Sequence, residues 1–202
     1  MKTIGLVGGV ASGKSRVAQL LVELGAGVLD ADRAGHAVLA EDAEVRDALR
    51  GRWGGGIFRP DGSVDRAAVA RRVFGGGGDA AAEREFLEEL VHPRIRARLE
   101  REARELAAAG KPAVVLDAPL LLEAGWETMC DVVLMVDASR ETRLSRVRDR
   151  GWTEEQFDQR EAAQWPIVKK REAADAVIHN DGTEEELRDA VGEFWHQHVI
   201  GV

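Results

Sequence analysis

The stretch Gly8-Gly9-Val10-Ala11-Ser12-Gly13-Lys14-Ser15 decides the fold. It matches G-x-x-x-x-G-K-[ST] at every fixed position, after an apolar run at residues 4–7 and before helically spaced apolar residues at 12–24 with Gly25 as a C-cap. Glycines let the backbone N–H groups point at phosphate oxygens, and the following helix adds its positive dipole end. The sequence therefore predicts a phosphate-binding loop, with Lys14 reaching the β- and γ-phosphates and Ser15 ligating Mg²⁺.

Four further apolar runs predict the rest of a sheet. They lie at residues 28–29, 113–116, 132–136 and 176–178, and polar residues follow each of them. Because the runs are β-branched and continuous rather than alternating, they are typical of strands buried on both faces of a parallel sheet. Helical stretches separate them, which predicts a doubly wound α/β fold with a five-stranded parallel sheet.

Two helical regions interrupt this alternation. Between the second and third strands, helices are predicted at residues 42–53, 65–74 and 80–109, with a break at His92-Pro93 and glycine loops at 54–56 and 75–78. The second region, residues 140–171, is rich in arginine. We expect one domain with a core at residues 1–35, 111–139 and 172–202, a helical insertion at about 36–110 and a lid at about 140–171.

Composition limits the possible classes of protein. The chain has 202 residues, 45% of them hydrophobic and 32% charged, as in an ordinary globular protein. A net charge of −8 argues against duplex nucleic acid as the main partner. The absence of a signal peptide or a 20-residue apolar run predicts a cytoplasmic protein that does not bind membranes. Cys130 is the single cysteine, either a small buried hydrophobe or a reactive thiol.

Carboxylates follow four of the predicted strands, where ligands bind in open parallel sheets. Asp32 is the first candidate for the base that deprotonates an attacking hydroxyl, because the second strand commonly neighbours the strand before the phosphate loop. Asp30 and Asp32 have a structural alternative as helix caps. Asp117 either holds Mg²⁺ through water or orders a turn, and Asp137 is expected to be a helix N-cap.

An arginine stripe is predicted on the lid. Arg143, Arg146 and Arg150 stand at i, i+3 and i+7 on one helix face, with Arg140 before them and Arg160 on the next helix. Such fork-shaped donors suit the charge of a transferring phosphoryl group. The alternative is a solvated face with local ion pairs.

The phosphate loop alone does not name a reaction, since switch GTPases, motor ATPases and small kinases share it. The chain length, the insertion and the arginine-rich region favour a small-molecule kinase, and the absence of N-K-x-D argues against a GTPase. Another kinase of nucleotides or metabolites, or a regulator that senses ATP without transferring phosphate, remains open. Such a regulator has no use for Asp32 or for a lid.

Further short motifs accompany the loop along nearly the whole chain. They are Val28-Leu29-Asp30-Ala31-Asp32, His92-Pro93-Arg94-Ile95-Arg96, Asp117-Ala118-Pro119-Leu120-Leu121-Leu122-Glu123, Arg160 with Gln164, and residues 174–182. With residues 4–15 they resemble the dephospho-CoA kinase family. The chain departs from the family pattern at Ala11, Arg16, Arg143 and Glu161.

The resemblance implies a three-layer α/β/α P-loop NTPase fold, a helical substrate insertion and a lid. It implies transfer of the ATP γ-phosphate to the ribose 3′-hydroxyl of dephospho-CoA with Mg²⁺ as cofactor, and we expect a monomer. The implied catalytic residues are Asp32, Lys14 and Arg146, and the metal ligands are Ser15 and Asp117. The implied ATP-binding residues are Gly8, Gly9, Ala11, Ser12, Gly13, Lys14, Ser15, Arg16, Arg146, Asn180 and Gly182. The implied acceptor-binding residues are Asp32, His92, Arg94, Leu120 and Glu123. Alternatively, His92-Pro93 only breaks a helix and Leu120 to Leu122 are core residues.

Overall fold

A computed structural model describes residues 1–75 and 79–201; Gly76, Gly77 and Gly78 of the predicted glycine loop and Val202 lie outside the described residues. The strands are β1 (Lys2–Val7), β2 (Gly27–Asp30), β3 (Ala113–Asp117), β4 (Val132–Asp137) and β5 (Ala176–His179). The helices are α1 (Lys14–Glu23), α2 (Ala31–Glu41), α3 (Ala43–Trp53), α4 (Arg66–Phe74), α5 (Ala80–Ala108), α6 (Arg140–Arg148), α7 (Glu154–Ala162), α8 (Ile167–Glu172) and α9 (Glu184–Trp195).

The strands form the five-stranded parallel sheet of a three-layer α/β/α fold, as predicted, in the order β2-β3-β1-β4-β5. β1 pairs in parallel with β3 on one side and with β4 on the other. The expectation that the second strand neighbours β1 was therefore wrong. The chain skips one position after α1, and β3 later fills it. The prediction of Asp32 as the base loses this support.

The main core lies between α1, α9 and one face of the sheet. Leu20 and Leu21 of α1, Val191 and Phe194 of α9 and Ile4 of β1 are buried in one cluster. Burying each side chain of this size contributes about 1.5–3 kcal/mol. This core therefore anchors β1 and α1, the two elements that hold the phosphate loop between them.

The chain forms two compact units. Unit 1 comprises residues 1–29 and 103–202, and unit 2 comprises residues 30–102. The first helix of unit 2, α2, was not predicted from the sequence. Its start is fixed by Asp30, whose carboxylate accepts a hydrogen bond of 2.7 Å from the backbone N–H of Arg33. The capping alternative for Asp30 is confirmed.

Helix α5 runs through Pro93, and the predicted break at His92-Pro93 was wrong. A proline inside a helix costs about 3 kcal/mol or more, because it lacks an N–H donor and crowds the preceding turn. Val91, Ile95 and Leu99 are buried at helical spacing around it. Burial of this continuous stripe offsets the cost and keeps the helix intact.

Glycines with positive φ follow the ends of α1 and α6. Gly25, with φ of 113°, follows α1 as predicted, and Gly151, with φ of 78°, follows α6. Because α6 ends at Arg148, Arg150 lies outside the helix and the predicted three-arginine face was wrong. Arg140 pairs with Glu154 and Asp158, as the solvated alternative expects.

No helix within residues 1–75 and 79–201 combines the length and the apolar character that crossing a membrane requires.

Candidate active site

The phosphate loop joins β1 to α1 in unit 1. Gly13 has a φ of 105° and is the N-cap of α1, so the helix begins at Lys14. A Cβ on Gly13 would collide with the side-chain nitrogen Nδ2 of Asn180. Ala11 also has a positive φ, 59°, which costs a non-glycine residue roughly 1–2 kcal/mol. The loop therefore has a positive φ at three positions, Gly8 with 150°, Ala11 and Gly13, and of these Ala11 is not a glycine.

The side chain of Lys14 is folded back along the loop. Its Nζ donates hydrogen bonds of 3.0 Å to the carbonyl oxygens of Gly8 and Gly9. The pKa of Lys14 is lowered to about 8, chiefly by burial and in part by the nearby charge of Lys170, whereas Asp117 opposes the shift. The ammonium therefore lies in a desolvated position where a bound anion would stabilise its charge.

Arg143 is a buried cation beside this loop. Its Nη1 would lie 2.7 Å from a Cβ on Gly9, and its Nε donates a 3.1 Å hydrogen bond to the carbonyl of Ala138. Its guanidinium pairs with Glu161 of α7 and lies over the ring of Phe157. The solvated alternative was therefore wrong for Arg143, because its charge is buried and its partner comes from another helix.

Arg146 and Asn180 hold the backbone of the loop from outside. Nη1 of Arg146 donates to the carbonyl of Ser12 at 3.1 Å, and Nη2 donates to the carbonyl of Asn180 at 2.8 Å. Nδ2 of the buried Asn180 side chain donates to the same Ser12 carbonyl at 2.8 Å. The Ser12 hydroxyl is buried without a hydrogen-bond partner among the described residues. Arg146, Asn180 and Ser12, all predicted to bind ATP, thus lie together at the loop.

Glu123 connects the segment after β3 to the start of α8. Its Oε1 accepts a 2.7 Å hydrogen bond from the backbone N–H of Trp165 and lies 3.5 Å from Nζ of Lys170. That Nζ also donates to Gln164 at 2.7 Å. Lys170 was not among the predicted site residues. The sequence marks it in only two ways: this arginine-rich chain has just five lysines, and Lys170 comes six residues after Gln164.

Ser15 and Asp117 offer oxygen donors on either side of the loop. Ser15 is exposed in the first turn of α1, and the half-buried Asp117 ends β3 close enough to influence the pKa of Lys14. Mg²⁺ prefers oxygen ligands, usually one or two from the protein together with phosphate and water. These residues fit such an ion. The residues that the structure describes contain no cluster of three or more acidic, histidine or cysteine side chains suited to a metal.

Asp137 is not one of these candidate metal ligands. It is buried at the end of β4, pairs with Arg171 and lies 3.7 Å from Nδ1 of His179. The prediction that it caps a helix was wrong, because Ser139 is the N-cap of α6 and accepts from the N–H of Thr142. The guanidinium of Arg171 pairs with Asp137 instead.

Three of the sequence-derived site residues belong to unit 2. Asp32 is exposed in the first turn of α2, and His92 is half-buried on α5. Arg94 pairs with Asp42 at 3.3 Å and with Glu44 at 2.8 Å. Asp32 is therefore accessible, whereas the guanidinium of Arg94 is already engaged with carboxylates.

The remaining candidates in unit 1 differ in their surroundings. Arg16 pairs with Glu184 and Glu23 on the surface. Leu120 is 46% exposed, while Leu121 and Leu122 are buried, so the core alternative holds only for those two. Gly182 lies in the turn before α9.

Comparisons with known proteins agree on one family. The family model for dephospho-CoA kinase matches residues 2–186. A dephospho-CoA kinase of Geobacillus kaustophilus is 42% identical over 187 residues, covering 92% of this chain and 91% of the relative. One of Geobacter sulfurreducens is 40% identical over 196 residues, covering 96% and 98%.

Solved structures share the fold. TT1252 from Thermus thermophilus matches with a TM-score of 0.79 at 36% identity, covering 98% of this chain and 97% of that one. Dephospho-CoA kinase from Campylobacter jejuni matches with a TM-score of 0.72 at 23% identity, covering 98% of both chains, a likeness that concerns the fold alone. With the family model and the curated relatives spanning nearly its whole length, this chain belongs to the dephospho-CoA kinase family.

Proposed function

We propose that this chain transfers the γ-phosphate of ATP to the ribose 3′-hydroxyl of dephospho-CoA, giving CoA and ADP. The observation that carries the proposal is the loop itself. Positive charge is concentrated at this place in unit 1. It comes from the N-terminus of α1, which Gly13 caps, from the desolvated Lys14 and from the buried Arg143. A polyphosphate is the ligand that such a concentration of donors stabilises most.

Each residue at the loop has a separate role in this reaction. Lys14 exchanges the carbonyls of Gly8 and Gly9 for phosphate oxygens of ATP. Arg146 keeps the loop in shape through the Ser12 carbonyl and supplies a guanidinium for the charge of the transferring group. Asn180 and Gly182 flank the adenine. These donors mainly position the phosphates and stabilise charge, which is most of what phosphoryl transfer requires.

Asp32 is the proposed base. It carries an exposed carboxylate in the first turn of α2, where an acceptor hydroxyl can reach it. The ribose hydroxyl attacks the γ-phosphorus in line, its proton passes to Asp32, and ADP leaves. A positioned base of this kind contributes about 10²–10⁴-fold.

Mg²⁺ would be held by Ser15 and Asp117. When bound, it neutralises charge on the phosphates. Unit 2 takes the role of acceptor-binding insertion, with His92 and Arg94, and residues 140–171 take the role of the lid. Leu120 and Glu123 complete the set of acceptor-binding residues. We further propose that the enzyme acts as a cytoplasmic monomer, with Cys130 as a free thiol.

A panel of acceptors tests the proposal. Purified protein with Mg·ATP is given dephospho-CoA, AMP or adenosine, and ADP release is measured, with phosphorus NMR locating the new phosphate. We expect ADP release to depend on dephospho-CoA and the new phosphate to lie on the 3′-oxygen. ADP release with AMP but not dephospho-CoA would assign the chain to another kinase reaction. ATP binding without acceptor-dependent ADP release would instead indicate a regulator.

A further inference from the structure

Lys170 of α8 is buried, with only 3% of its side chain exposed. A buried ammonium is rare in proteins, because leaving water costs several kcal/mol unless partners compensate. Its Nζ has two such partners, the Gln164 amide oxygen at 2.7 Å and the Glu123 carboxylate at 3.5 Å. The phosphate-site roles assigned above do not account for this lysine.

The partners of Lys170 fix it with respect to the core as well as to its own helix. Glu123 also accepts a 2.7 Å hydrogen bond from the backbone N–H of Trp165, in the connection between α7 and α8. The Glu123 carboxylate therefore binds both the backbone just before α8 and the ammonium of Lys170, the fourth residue of that helix. This arrangement leaves the ammonium little freedom to move into solvent.

The same helix lies directly against the phosphate loop. The Cδ1 atom of Ile167 would be 2.8 Å from a Cβ on Gly9, which shows how closely α8 approaches the loop. Ile167 and Lys170 are three residues apart, so they share one face of α8. The buried ammonium of Lys170 is thereby placed on the loop side of the helix.

We propose that Lys170 is a positioning residue of the phosphate site, held by Glu123 and Gln164 so that its fixed charge assists Lys14 in binding the polyphosphate of ATP. The inference rests on the proposed function only in taking ATP as the ligand. Lys170 acts through its fixed place beside the loop, and contact with the transferred phosphate is not required of it.

The positive charge gives this role a measurable signature. Helix α8 contacts the loop through Ile167, and Glu123 and Gln164 hold the Lys170 ammonium on the same face of that helix. A neutral side chain at position 170 removes a cation from beside the loop, whereas arginine keeps one there.

The test is calorimetric titration of K170M with ATP at pH 7. We expect the affinity to fall at least about tenfold. The matched control is K169M, since Lys169 is the exposed neighbour whose ammonium lies over the Trp165 ring, and it should bind ATP with wild-type affinity.

K170Q guards against a failure of K170M to fold, because its amide can still bond to Glu123 while it carries no charge. The same loss of affinity is expected of K170Q, and K170R should restore part of the affinity because it keeps the charge. Wild-type affinity in K170Q, or an affinity of K170R no better than that of K170Q, would overturn the proposal and leave Lys170 a purely structural residue. Because binding is measured without acceptor, a failure of dephospho-CoA to support ADP release would contradict the proposed function and leave this inference standing.

Discussion

The guanidinium of Arg146 and the side-chain amide of Asn180 donate hydrogen bonds to the same acceptor, the carbonyl oxygen of Ser12, at 3.1 and 2.8 Å. One donor comes from α6 and the other from the residue after β5. The shape of the phosphate loop is therefore set by two distant parts of the chain as well as by its own glycines.

Removing this support should loosen the loop. N180A deletes a buried donor and leaves the Ser12 carbonyl with Arg146 as its remaining side-chain partner. We expect the free energy of unfolding to fall by about 1–3 kcal/mol, as for loss of a buried hydrogen bond. We expect ATP affinity to fall about tenfold, because the loop amides are less well aligned. Chemical denaturation and calorimetry measure the two effects.

The control for N180A is Q159A, which removes an exposed amide from α7. It should change neither quantity. Wild-type stability and affinity in N180A would show that the loop keeps its shape without the asparagine.

ATP binding should take up protons above neutral pH. The pKa of Lys14 is lowered to about 8, chiefly by burial, and a polyanion beside it favours the charged form. At pH 8 binding should therefore take up about half a proton per nucleotide. Calorimetry in buffers of different ionisation enthalpy measures this number. K14R should abolish the uptake, because arginine stays charged; uptake by K14R equal to that of wild type would assign the proton to another group.

The same group affects stability without nucleotide. Because the pKa of Lys14 is lower in the folded protein than in the unfolded chain, its burial opposes folding most strongly below pH 8. This unfavourable contribution diminishes as the pH rises from about 8 towards 10.5. We expect K14M to be more stable than wild type at pH 7, with a smaller difference at pH 9.5. A constant difference across this range would contradict the assignment.

Asp32 and Asp30 offer a matched pair of substitutions. D32N should lower kcat by about two orders of magnitude or more while ATP affinity stays within twofold, as for removal of a general base. D30N should keep activity, because asparagine caps a helix about as well as aspartate, and Asp30 is the cap of α2. Steady-state kinetics with dephospho-CoA compares the two. Equal turnover in both variants would exclude Asp32 as the base.

Cys130 should be unreactive in the folded protein. Burial raises the pKa of its thiol to about 12, and the nearby Glu127 and Asp131 add to this shift. The thiolate is the reactive form, so alkylation at pH 8 should be at least about a hundredfold slower in the native protein than in denaturant. Mass spectrometry over time measures both rates. Similar rates would favour the reactive-thiol alternative.

The parts of the fold that could be predicted from the sequence depend on local patterns. The continuous apolar runs gave five strands in the right places, and the glycine pattern located the start of α1 to within two residues. Asp30 illustrates the limit: a helix cap and a ligand at a strand end look alike until the partner, the N–H of Arg33, is known. The sequence likewise cannot show which strand fills the gap beside β1.

The missed parts of the candidate site depend on long-range partners. For Arg143 a solvated face remained an open alternative because acidic residues lie close to it in sequence, yet it is buried and pairs with Glu161 of the following helix. Lys170 needed both Glu123 and Gln164 to be recognised as a buried cation. Spacing rules describe single helices, so they cannot identify charges that are neutralised between elements.

Because Asn180 lies so close to Gly13, the residues that can be accommodated at these two positions, far apart in the chain, depend on each other. An alanine at position 13 would meet Asn180, and a larger residue at position 180 would crowd the glycine. Neither position can change freely unless the other changes too. A chimaera that takes its C-terminal segment from a relative with a larger residue at position 180 should therefore lose ATP affinity unless the loop is exchanged with it.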